Sequence, residues 1–192
     1  MNIKTSDREI RELLIAWIFI SLAFAFALRG MTGSLILSMV LSLVTIGPAF
    51  ILHELAHKIV AQRYGCWAEF RMSFQMLLFA VFIALLSGIV FAAPGAVMIS
   101  GYVSKSQNGK ISVSGALTNL LLVLVFLPIS LRGGFIGLIG YYGAFINALI
   151  AAFNMIPFGP LDGRKVLAWD RTVYITVVTM AIGAIILVTG LV

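Results

Sequence analysis

"MSFQMLLFAVFIALLSGIVFAAPGAVMISGYVS", residues 72–104, runs for 33 residues without a charge. As one helix it would measure about 50 Å at 1.5 Å per residue. That is far longer than the roughly 30 Å of hydrocarbon in a bilayer. Gly88, Pro94, Gly95 and Gly101 interrupt it. The stretch is therefore expected to enter and return on the same side, as a re-entrant hairpin. The alternative is a full crossing, and the choice decides which later segments can meet which earlier ones.

The rest of the chain sets the frame for that choice. Its 192 residues are 61% hydrophobic and 10% charged, with a mean hydropathy of +1.11. Soluble domains are typically about half apolar and a quarter charged. Further uncharged stretches cover 13–28, 30–52, 111–131, 133–161 and 172–192. The expected fold class is an all-α polytopic membrane protein with about six hydrophobic segments: five crossings plus one re-entrant, or six crossings. The whole of 1–192 reads as a single membrane-embedded domain. The net charge of +6 would suggest nucleic acid in a soluble protein. Here the basic residues are scattered over short loops, the pattern of the positive-inside rule, and no nucleic-acid partner is expected. Cys66 is the only cysteine, so neither an intrachain disulfide nor a Cys-rich metal site can form. The start, "MNIKTSDREIRELL", mixes acids with bases, which favours an uncleaved first helix over a removed signal.

Two stretches read as β-structure at the membrane edge. In "CWAEFRMSF" (66–74), Phe70, Met72 and Phe74 alternate with Glu69, Arg71 and Ser73, as in a half-buried strand. "VMISGYVSKSQNGKISVS" (97–114) holds Asn108-Gly109 between β-prone residues, which predicts a two-residue hairpin.

The chain has only two histidines, and both lie in "ILHELAHK" (51–58). Four residues apart on a helix, His53 and His57 stand about 40° from each other, one turn up, so both rings can reach one metal ion. Glu54 sits about 100° round from His53. This is the H-E-x-x-H arrangement of two zinc ligands and a carboxylate general base. Chance or simple packing is a poor account of it, because each ionisable group near the end of a membrane helix is costly unless paired or functional. A catalytic zinc site normally takes three protein ligands and leaves one position open. With no third histidine, the third ligand should be a carboxylate. Beyond the N-terminal tail the candidates are Glu69, Asp162 and Asp170. Asp162 stands out: it closes an uncharged run and lies in "NMIPFGPLDG" (154–163), where Pro157, Gly159, Pro160 and Gly163 break the helix. Broken helices in membranes occur where they face a wet, protein-lined cavity.

Together "HELAH" and, about a hundred residues on, "NMIPFGPLDG" resemble the site-2 protease family of intramembrane zinc metalloproteases. "SGALTNLLL" (114–122) resembles that family's Gly-Pro-x-x-Asn helix start. The resemblance implies that His53, His57 and Asp162 bind one Zn2+ and that Glu54 is the catalytic base. It also implies that Asn154 lies near the scissile carbonyl as an oxyanion donor. The sequence departs from the family in having Arg164 after Asp162-Gly163, and Gly115-Ala116 in place of Gly-Pro. No appended PDZ-like or CBS-like domain is expected, and the compact form resembles prokaryotic members.

Topology can be checked independently. His53 and Asp162 both lie toward the C-terminal ends of their segments, so an odd number of crossings must separate those segments if the two residues are to meet. With 72–104 re-entrant and the N-terminus inside, eleven of the thirteen Lys and Arg residues fall on the cytoplasmic side. Only Arg29 and Arg132 fall outside. Six full crossings would split them 7 to 6. The positive-inside rule favours the first arrangement. The expected function is thus an intramembrane endopeptidase in the cell membrane. It would hydrolyse peptide bonds in or near a transmembrane segment of a membrane-protein substrate by zinc-activated water, with N-terminus and active site on the cytoplasmic side. The alternative is an inactive pseudoprotease that binds transmembrane helices.

Overall fold

Ser6 begins the first helix: its hydroxyl accepts from the Glu9 backbone N–H, and Asp7 and Glu9 occupy the first turn, where the helix dipole favours acids. The computed structural model describes residues 3–90 and 95–190. In it α1 spans Asp7–Thr32 and ends on Gly33 in the left-handed region. Ser34 caps α2, Leu35–Arg63. A strand β1, Trp67–Met72, leads into the short α3, Phe74–Ser87, and a second strand, β2, covers Gly95–Ser100. Four helices follow: α4 (Lys105–Ser130), α5 (Gly134–Asn154), α6 (Asp162–Trp169) and α7 (Arg171–Thr189). Five of these helices, α1, α2, α4, α5 and α7, are long and apolar enough to cross a membrane. Large apolar side chains such as Leu78, Phe82, Leu121 and Ile186 point outward, as lipid contact requires. The architecture is that of a polytopic helical membrane protein with one small sheet.

The strands pair antiparallel, from Trp67 opposite Ser100 to Met72 opposite Gly95. Phe70 on the inner face meets Phe50 of α2 edge to face, with ring centroids 5.6 Å apart. Because Met72 pairs with Gly95, the excursion between them leaves and returns at one place. Its helix α3 has 14 residues, about 21 Å, too short to span hydrocarbon. It packs along α1, where Ala80 and Ala84 meet Ala23. This is the geometry expected of a hairpin over 72–104; Pro94, one of its expected breakers, lies outside the described residues.

Tight connections place the element ends in two groups. The start of α1 meets the end of α2, where Lys4 bonds to Gln62. The start of α4 meets both the late turns of α2 and Trp169 at the end of α6. At the other end, Met31 of α1 and Ser130, Arg132 and Gly134 of the α4–α5 turn line one cavity of about 400 Å³. Arg29 and Arg132 belong to this second group; the other eleven basic residues lie on the elements and connections of the first.

Three expectations need correction. Asn108-Gly109 does not turn a hairpin, because both residues lie in the opening turns of α4. Ser104 and Gln107 form a capping box there, each side chain bonding the other's backbone N–H. That satisfies two orphan donors and starts a helix. Gly109 is instead a packing residue: a Cβ on it would lie 2.4 Å from the Trp169 side chain. Second, "SGALTNLLL" is no helix start but sits well inside α4. Third, the strand alternation stops at Met72, since Ser73 caps α3 by accepting from Met76 N–H.

Candidate metal centre

Helix α2 carries His53 and His57 on one face, both buried. Each ring is held at Nδ1. His57 Nδ1 lies 2.8 Å from the Ile111 carbonyl, which can only accept, so this nitrogen carries the proton. His53 Nδ1 lies 2.6 Å from Asn119 Oδ1. The orientation of that amide follows from a chain of partners. Asn147 Nδ2 donates to the Gly143 carbonyl at 2.8 Å, leaving Asn147 Oδ1 to accept from Asn119 Nδ2, also at 2.8 Å. Asn119 Oδ1 is then the acceptor, and His53 Nδ1 is the donor.

With Nδ1 of each ring committed as a donor, Nε2 is the nitrogen each neutral ring would offer to a metal, and the two Nε2 atoms face each other 3.0 Å apart. Asp162, in the first turn of α6, completes the group. Its Oδ2 lies 3.0 Å from His57 Nε2 and 3.4 Å from His53 Nε2. Three lone-pair donors this close cannot satisfy one another; a proton or a metal ion between them would. A tetrahedral zinc site with ligands at 2.0–2.1 Å has edges of about 3.3 Å, close to the distances here. His53, His57 and Asp162 could hold a metal ion, and their chemistry fits zinc. Asp162 Oδ1 faces Lys165 Nζ at 3.7 Å.

The backbone is shaped around this group. Gly115 of α4 lies directly against the rings: a Cβ there would sit 2.6 Å from His53 Cε1 and from His57 Nε2. The chain breaks after α5 at Pro157 and Pro160, and Gly163 then settles on the Met155 carbonyl, where a Cβ would sit at 2.1 Å. That close approach brings Asp162 under α2. Glu54 is buried beside the triad, close enough to interact electrostatically with His57, His53 and Asp162, and its carboxylate meets the backbone of Val97 in β2.

The other candidate acids are engaged elsewhere. Glu69 pairs with Arg71 and accepts from Ser6. Asp170 caps α7 by accepting from the Thr172 and Val173 N–H groups. Asn154 ends α5 and donates to the Ile150 carbonyl at 3.1 Å; it makes no hydrogen bond to the triad. Sequence reasoning overlooked the supports at Nδ1, Asn119 and the Ile111 carbonyl. The only signal for Asn119 was its place in the motif at 114–122.

The class defined by fold and site is a polytopic membrane protein with a buried His-His-Asp group that could hold a metal ion, and with a neighbouring glutamate. A protein of Methanocaldococcus jannaschii named "Putative zinc metalloprotease" is 40% identical to this chain over 182 residues, 93% of each protein. The chain belongs to that protein's family. No protein-family model and no solved structure matches it.

Proposed function

We propose that this chain is an intramembrane zinc endopeptidase of the site-2 protease type, cutting peptide bonds in or near the transmembrane segment of a membrane-protein substrate. The observation that carries the reading is the convergence of His53 Nε2, His57 Nε2 and Asp162 Oδ2 with Glu54 alongside. One zinc ion held there would act as a Lewis acid and lower the pKa of water. Glu54 would take a proton from that water and return it to the leaving amine. Asn154 has a second amide hydrogen to offer the carbonyl oxygen of the substrate. A helix hides its carbonyls in internal hydrogen bonds, so the segment to be cut must unwind. The free edge of β2 beside Glu54 would hold it extended by strand addition. The segregation of basic residues supports a site at the cytoplasmic side of the cell membrane, with the N-terminus on the same side and 72–104 as a re-entrant segment.

The test is elemental analysis of detergent-purified protein together with cleavage of a reporter transmembrane substrate. The native chain should hold about one zinc and cleave the reporter. Glu54→Gln should keep the metal and lose at least about a hundred-fold in cleavage, and Asp162→Ala should lose metal and cleavage together. A native chain that cleaves but contains no zinc, or a fully active Glu54→Gln variant, would overturn the reading.

A further inference from the structure

The two edges of the sheet are finished differently. On β1, Phe70 N–H donates to Glu9 Oε1 at 2.9 Å and Met72 N–H donates to Glu12 Oε2 at 3.0 Å. The Phe70 carbonyl accepts from Arg71 and the Ala68 carbonyl from Gln62, at 2.8 and 3.0 Å. Residues 68, 70 and 72 thus face away from β2. In an antiparallel ladder their partners Ile99, Val97 and Gly95 face away from β1. On that side Val97 meets Glu54, while the outward groups of Gly95 and Ile99 take no partner among the described residues. Glu9 is also tied to α2: its Oε2 accepts from Lys58 Nζ at 2.5 Å, and Lys58 donates to Thr5 Oγ1 at 2.7 Å. Lys58 follows His57 directly, and both Lys58 and Glu9 are fully buried.

We propose that the opening turns of α1 stand in for a third strand, with Glu9 as a positioning residue that fixes β1, and through it the free edge of β2, relative to the metal-bearing helix. This rests on the proteolytic reading above. An edge with unpaired backbone groups accepts any extended chain. A substrate added to β1 would lie about 14 Å from one added to β2, three strand spacings away, with the sheet between it and Glu54. The carboxylates of Glu9 and Glu12 and the amide of Gln62 close that wrong edge, leaving the edge beside the base. The Glu9–Lys58 pair locks the sheet to the turn of α2 that follows His57, so strand and metal ligands share one reference.

Losing either charge alone would strand the other in the interior, so the test uses paired substitutions in the full chain. Glu9→Gln with Lys58→Met keeps an oxygen for Phe70 N–H; Glu9→Leu with Lys58→Met removes it. Three quantities are read: zinc per chain, kcat and KM for the reporter, and amide exchange at Ala96, Met98 and Ser100. The Gln/Met pair should match the native chain in all three. The Leu/Met pair should keep its zinc and kcat, raise KM by about five-fold or more, the low end for one lost buried hydrogen bond, and exchange faster along β2. Equal KM and equal β2 exchange in the two pairs would overturn the proposal. So would a fall in kcat or zinc with KM unchanged, which marks an ordinary stability defect. If the native chain cuts nothing, the proteolytic reading fails by itself, and β2 exchange alone decides whether Glu9 positions the strand.

Discussion

His53 and His57 can serve as metal ligands only because their far nitrogens are occupied. Asn119 holds one ring and the Ile111 carbonyl the other, fixing tautomer and direction together. Asn119→Leu should keep the fold's helices but weaken zinc binding by about ten- to a hundred-fold, the usual cost of a lost outer partner. Competition with a chelator of known affinity measures this, and native affinity in the variant would refute the role. The three converging residues were legible in the sequence, since ionisable residues in an apolar chain are few and costly. Asp162 could be singled out among three acids because the break at Pro157–Pro160 surrounds it. Asn119 was not legible as a support. Its partner His53 lies 66 residues away, and nothing local ties the two.

At the scale of elements, alternation over 69–72 pointed to the strand, and Phe70 does pack on Phe50 of α2; Glu69 on the opposite face is buried as well, held by Ser6 and Arg71. Its partner strand was misplaced toward Asn108-Gly109. Turn chemistry and capping chemistry compete for one stretch there, and the Ser104–Gln107 box wins. Strand pairing is non-local: Met72 meets Gly95 across a helix, so no local pattern announces it. The free edge of β2 can be tested without touching Glu54. The Ile99 N–H points away from β1, so Ile99→Pro removes an edge donor and spares the ladder. It should leave zinc in place and slow cleavage about five- to ten-fold, the worth of one main-chain hydrogen bond. Met98→Pro, which breaks the ladder itself, is the control expected to do worse. An unchanged rate in Ile99→Pro would argue against strand addition.

Across the whole molecule, the meeting of His57 with Asp162 requires α2 and α5 to run the same way, with α4 alone returning between them. The sequence could state that requirement, because a 33-residue apolar run broken by glycines fits no single span. It could not show how the excursion is anchored, since the anchor is a strand pair. The topology predicts unequal access from the two sides. In a chain with Cys66→Ser, a membrane-impermeant thiol reagent applied to intact cells should label Gly133→Cys, between α4 and α5. It should label Tyr102→Cys, fully exposed beside the sheet, only after lysis. The reverse pattern would invert the proposed orientation. There is also a consequence for covalent continuity. Met72 and Gly95 are paired across the sheet, so the chain between them can be cut without parting the strands. A single nick within α3 should leave two fragments that migrate together in mild detergent and separate only in denaturant.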